Sequence, residues 1–257
     1  MSRGELRKYF KSKAKFVLKS NTQFIPVQVV SILLPMIIIA ALVALQVLTG
    51  SSLMALLVLP VVWLLFMPLL LSSFLFYVRN TEDYPEWKVI LEPIKENGFQ
   101  FVLKFVVVAL LLTFRVLLVV LASVLIIFVT LLLTKIKIIG FLFFIAVFAE
   151  YIAMIVVLYK MMLDYAMVGA VLLEDTNAKA TEILRESKSL MTGNKIEFLL
   201  MSLSFVPWGI LMGVVSVIPV LGPILAFLGY VLLLFPYVQQ TTAFYYSYYR
   251  YGEEVID

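Results

Sequence analysis

Two apolar runs free of proline, residues 101–133 and 138–172, joined only by the short segment 134–137, constrain this chain more than any other feature. As α-helices rising 1.5 Å per residue, each would reach about 50 Å, against a hydrocarbon core of about 30 Å. Such helices must tilt, break or project from a bilayer, and projection on the cytoplasmic side is the expectation. Water is not their solvent: a chain that is 63% hydrophobic, with mean hydropathy +1.08, has too few polar residues to cover a soluble surface.

Four further apolar runs, 24–48, 53–78, 198–217 and 224–245, bring the expected spans to six, pairing as three hairpins. The first is too long for the core of a cleaved signal peptide, which holds about 7–15 residues, so an uncleaved span is expected. Seven basic residues precede it, and with both termini in the cytoplasm 15 of the 20 basic residues lie inside. Only Lys135 and Lys137 then fall outside, and the opposite orientation would reverse the positive-inside rule. The chain thus reads as one all-α, polytopic membrane domain over residues 1–257, of a cytoplasmic (plasma) membrane. Its parts are a basic interfacial helix (3–20), hairpin 1 (24–78), an interfacial linker (79–98), long hairpin 2 (101–172), an amphipathic cytoplasmic helix (173–197) and hairpin 3 (198–248).

The interfacial helices are read from spacing. Leu6, Phe10, Ala14, Val17 and Leu18 form one apolar stripe among lysines, and Ala180, Ile183, Leu184, Ser187 and Met191 form another opposite Glu182, Arg185, Glu186 and Ser189. Gly193 supplies a helix stop. A pattern of Asn or Ser, two residues, Gln or Glu, then Phe opens three of the spans, at Ser20–Phe24, Asn97–Phe101 and Asn194–Phe198. It has the spacing of a capping box; duplication of one unit and the shared need of interfacial helices for a cap explain it equally well. Prolines 26, 35, 60 and 68 predict kinks or freed carbonyls in hairpin 1.

Ionisable residues inside hydrocarbon are costly, so they head the site candidates. Arg115 and Glu150 lie deepest, and for them a buried pair and a substrate or proton path are equal readings. Lys104, Lys160 and Asp164 are expected to be structural charge pairs or snorkelling side chains, with the hairpin folding about residue 135 or 136. Tyr237, Gln240 and Thr241 share a helical face just after Pro236 and are candidates to line a polar pocket, while Tyr245, Tyr246, Tyr248 and Tyr249 read as an aromatic belt. Gly209 and Gly213 have the GxxxG spacing of close helix packing.

Zero Cys and zero His remove thiol chemistry and the commonest metal ligand and general base. No HExxH, P-loop or GxSxG is present, so no catalytic residue, metal or cofactor is expected. Glu174 and Asp175, beside Thr176 and Asn177, read as acids complementing a helix dipole.

Ile183-Leu-Arg-Glu-Ser187 through Leu190-Met-Thr-Gly193, Pro236-Tyr237, Ala243-Phe-Tyr245 and the start Ser2-Arg-Gly-Glu-Leu6 carry a resemblance. On these the chain resembles a bacterial polytopic membrane family known only as a domain of unknown function, number nine-seven-five. It is more distantly similar to the membrane domain attached to some glycerophosphodiester phosphodiesterases. The resemblance covers nearly the whole chain and implies architecture; it brings no reaction or site residue with it.

The expected function is non-enzymatic: binding or moving an amphipathic lipid or peptide at the membrane. Its partners are lipids of the anionic cytoplasmic leaflet, with no nucleic acid. The alternative is an accessory, scaffold or immunity subunit that docks on another membrane protein or on a second copy of itself.

Overall fold

The computed structural model describes residues 2–50, 56, 62, 66–133 and 140–252, with the side chains of 131–133 and 140–144 excepted. Every regular element among them is helical. In chain order they are α1 (Arg3–Ser20), α2 (Phe24–Gln28), α3 (Leu34–Thr49), α4 (Met67–Arg79), α5 (Glu92–Leu133), α6 (Gly140–Asp164), α7 (Val168–Glu174), α8 (Ala180–Met191), α9 (Lys195–Leu203), α10 (Val206–Ser216), α11 (Leu221–Gly229) and α12 (Phe235–Tyr251). They make five continuous helical stretches long and apolar enough to cross a membrane: Phe24–Thr49, Trp87–Thr130, Ile145–Glu174, Lys195–Ser216 and Leu221–Tyr251. The sixth expected span, 53–78, falls partly outside the described residues, at 53–55, 57–61 and 63–65. Its described end, α4, is apolar but only 13 residues long.

Helix α1 forms because Ser2 and Glu5 close a capping box, Glu5 accepting from the Ser2 amide at 2.7 Å. Its stripe Leu6, Phe10, Ala14 and Val17 is buried, not against lipid but along the protein's own last helix. The Phe10 ring sits edge-on to Tyr245 and Tyr248, with centroids 6.4 and 5.6 Å away. Burying side chains of this size is worth about 1.5–3 kcal/mol each, enough to fix the basic arm to the body.

The stripe of α8 behaves likewise, burying Ile183, Leu184, Ser187 and Met191, and the Ser187 hydroxyl donates to the Asp164 carbonyl at 3.2 Å. Gly193, at φ +84°, then makes the reversal into α9 that a side chain would resist. With Phe76, Tyr77, Ile90, Phe101, Met167, Leu172, Met201 and Phe244, these stripes form one core where α1, α4, α7, α8 and α12 converge. The tyrosines read as a belt are part of it: Tyr245 and Tyr246 are buried.

Hairpin 2 departs from this body. The outer faces of α5 and α6 are apolar and exposed, at Leu110, Phe114, Leu121, Leu125, Phe148, Ile152 and Val156 among others. Helix α5 kinks at Gly98, whose φ of +51° and ψ of −133° no ordinary side chain tolerates. The second long run is interrupted by a turn at 165–167, after which α7 packs into the core through Val168, Ala170, Val171 and Leu172. Breaking at that turn is thus how part of its excess length is absorbed.

Two described prolines within spans are preceded by a π-helical turn: Val29–Leu33 before Pro35, and Tyr230–Leu234 before Pro236. A proline has no N–H to donate and its ring crowds the carbonyl four residues back, so the wider turn accommodates both.

The triple cap pattern is not used as capping boxes. Gln23 and Asn194 do occupy the positions before α2 and α9, but neither side chain caps the helix; Asn194 donates back to the Leu190 carbonyl and Glu197 turns to Arg7. At the middle copy α5 runs through with only the Gly98 kink. Glu174 is also not at a helix start: it ends α7 and accepts from Tyr246 at 2.6 Å, Tyr251 at 2.9 Å and Arg250 at 3.0 Å. Arg250 reaches Glu186 as well, at 2.5 Å, so α7, α8 and α12 are tied at one point.

Candidate membrane-interface cleft and buried amide ladder

Gln240 and Thr241 are fully buried, and their environment is closed. The Gln240 amide accepts from Asn80 at 2.8 Å and donates to the Tyr77 carbonyl at 3.0 Å; Asn21 donates to Asn80 at 2.9 Å and to the Pro85 carbonyl at 3.3 Å. Gln28 donates to the Tyr77 hydroxyl. The result is a ladder of amides joining α1's end, α2, α4 and α12, and Thr241 is spent on its own helix, donating to the Tyr237 carbonyl at 2.8 Å. Buried amides need partners, and here Asn21, Asn80 and Gln240 find them, while Gln28 Oε1 is left without one among the described residues. Sequence reasoning found Gln240 but missed Asn21, Gln28, Tyr77 and Asn80; the available signal was a polar residue, Gln28, early in an apolar run.

Arg115 does not meet Glu150. Its guanidinium donates to the Tyr165 hydroxyl and lies 5.2 Å from that ring's centroid, while Lys104 donates to the Thr176 carbonyl. The expected fold point at residue 135 or 136 lies outside the described residues. Among the described residues Glu150 has no hydrogen bond or ion pair. Asp164 pairs with Lys195, and neither Lys104 nor the exposed Lys160 is its partner.

Of the five candidate ligand residues, Tyr237 alone lines a cleft of about 390 Å³. Lys15 and Lys19 edge it from the end of α1, Trp208 and Met212 from α10, and Leu233 from the π turn. Lining it are two cations, one phenol and otherwise apolar side chains, with no acidic residue. Its walls suit a hydrocarbon chain and its edge an anion. Burial lowers the Lys11 pKa on the neighbouring face of α1, where its ammonium meets the Ser204 hydroxyl at 3.0 Å and the Phe205 ring at 4.8 Å.

The small residues of hairpin 3 work differently from their spacing. A Cβ at Gly222 would lie 2.4 Å from the Val215 carbonyl and one at Gly229 2.8 Å from Met212 Sδ, so these two let α10 and α11 approach. Among the described residues nothing stands within 4 Å of a Cβ placed at Gly209 or Gly213, so both lie on an open face. Among the described residues no group of three acidic, His or Cys side chains is placed to hold a metal.

Long apolar helices with exposed apolar faces and a polar, charge-knitted body at one end point to the class of helical membrane proteins. Within that class, the chain belongs to the family described as protein of unknown function (DUF975), whose pattern matches residues 1–251. No curated protein and no solved structure matches it.

Proposed function

We propose that this chain is a non-enzymatic, multi-pass protein of the bacterial plasma membrane that binds or moves an amphipathic, lipid-like molecule. The observation that carries the reading is the cleft beside Tyr237, apolar along Trp208, Met212 and Leu233 and basic at Lys15 and Lys19. In this reading the chain has six spans in three hairpins with both termini in the cytoplasm, supported by the 15 basic residues on that side. Purified protein in nanodiscs should retain an amphiphile in native mass spectrometry, and Leu233→Trp should reduce its occupancy; protein that retains none ends the proposal. Because the chain has no cysteine, single cysteines placed at Lys135 and Lys188 report topology directly. Labelling of the first from outside and the second only from inside is expected.

A second reading, an accessory or scaffold subunit, is favoured by the open Gly209 and Gly213 face. Gly213→Leu should then release a co-purifying partner or a second copy while leaving amphiphile retention unchanged.

A further inference from the structure

We infer that the occupant of the cleft is an anionic phospholipid, its phosphate diester held between Lys15 and Lys19 and an acyl chain lying along Trp208, Met212 and Leu233. This rests on the amphiphile reading and gives it a headgroup.

The argument comes from how α1 distributes its cations. Arg7 is paired with Glu197, Lys11 is held by Ser204 and the Phe205 ring, and Lys13 lies over the Tyr9 ring at 5.4 Å. Among the described residues Arg3, Lys8, Lys15 and Lys19 have no hydrogen bond or ion pair, and of these Lys15 and Lys19, one helical turn apart on one face and both exposed, are the two that edge the cleft. They edge the cleft where no carboxylate lines it, so its field is positive and uncompensated.

Position points the same way. Asn21 ends α1 and Phe24 starts the first span, so Lys15 and Lys19 sit where charged arm gives way to hydrocarbon. That is the level of a lipid phosphate. An uncharged amphiphile would leave both ammonium groups unused, and a soluble anion would leave the apolar wall wet. A phosphodiester with acyl chains satisfies both, and the Tyr237 hydroxyl at the same cleft offers a donor to its ester oxygens.

The test uses the full-length protein in nanodiscs made from equal parts phosphatidylglycerol and phosphatidylcholine, with the lipids retained after release read by native mass spectrometry. Wild type should carry phosphatidylglycerol in preference, and Lys15→Gln/Lys19→Gln should cut that preference about tenfold. Lys15→Arg/Lys19→Arg should keep it. Lys95→Gln/Lys188→Gln, which removes equal charge from exposed sites away from the cleft, should leave it unchanged; an equal loss there would overturn the inference in favour of bulk charge. Lipid retained without headgroup preference also overturns it while leaving the amphiphile reading intact. No retained lipid of either kind removes both. Matched thermal melts of the variants in detergent guard against unfolding.

Discussion

The Asn80 side-chain amide donates to Gln240 Oε1 at 2.8 Å across 160 residues of chain, with both side chains buried. It is the central rung of a ladder that continues to Asn21 on one side and to the Tyr77 carbonyl on the other, so a helix of hairpin 1 is fixed to the last helix by polar bonds as well as by apolar area. Between apolar helices in a bilayer such bonds give register, because hydrocarbon rewards any rotation of a Leu-rich face about equally.

Removing one rung strands the other. Gln240→Leu leaves the Asn80 donor and the Tyr77 carbonyl unpaired, and should lower unfolding free energy by about 1–3 kcal/mol. Asn80→Leu/Gln240→Leu should cost less than the sum of the single changes, with a coupling of about 0.5–1.7 kcal/mol. Reversible unfolding in bicelles measures the cycle; strict additivity would mean that the rung does not form.

Close packing in hairpin 3 is assigned to Gly222 rather than to the GxxxG pair. A methyl at 222 meets a backbone carbonyl that cannot swing aside, so Gly222→Ala should destabilise by about 1–3 kcal/mol. Gly229→Ala meets only the end of the Met212 side chain and should cost less. Gly209→Ala and Gly213→Ala should stay within about 0.5 kcal/mol in the purified protein. Equal losses at all four would place the Gly209 face in an interface within the folded unit.

What could be read from sequence divides by range. The stripes of α1 and α8 were legible because a period of 3.6 is a local property, and Leu6, Phe10, Ala14, Ile183, Leu184 and Met191 are buried in the structure. What the stripes face was not legible, since the same spacing serves a lipid surface and a neighbouring helix. Tyr165 was missed as the partner of Arg115 because an opposite charge is the usual mark of such a partner and a phenol carries none; the expected fold point at 135 or 136 lies outside the described residues. Glycine spacing shows which glycines share a face, and Gly222 and Gly229, seven apart, share one as surely as Gly209 and Gly213; only contacts choose between them. The ladder was invisible for a related reason, since nothing near Gln240 in sequence names Asn80.

At the amino terminus, the hydrogen bond from Ser2 holds the Glu5 carboxyl below its ordinary value. A carboxylate whose folded pKa is depressed contributes stability that is fully present above the unfolded pKa and is lost as pH falls through the folded one. Protection of the first turn of α1, corrected for intrinsic exchange rates, should therefore fall on acidification below about pH 4.5. Glu5→Gln should weaken that protection at neutral pH and abolish its acid dependence. Acid loss unchanged in Glu5→Gln would assign the effect to another group.

Within hairpin 2, Arg115 belongs with Tyr165 and not with Glu150. The Arg115 guanidinium both donates to the phenol oxygen and lies near its ring, a geometry that a lysine ammonium reproduces poorly. Tyr165→Phe removes the acceptor but keeps the ring, and should cost about 0.5–1.5 kcal/mol; Arg115→Lys should cost a similar amount. A double-mutant cycle on Arg115 and Tyr165 should show coupling of that size, while one on Arg115 and Glu150 should give a value near zero, since the two share no hydrogen bond or ion pair. Coupling between Arg115 and Glu150 above about 1 kcal/mol would restore the pair in the middle of the hairpin. It would also put an ion pair in hydrocarbon where the present arrangement places a cation beside an aromatic hydroxyl near the protein body, so the cycle decides which end of hairpin 2 carries its polar anchor.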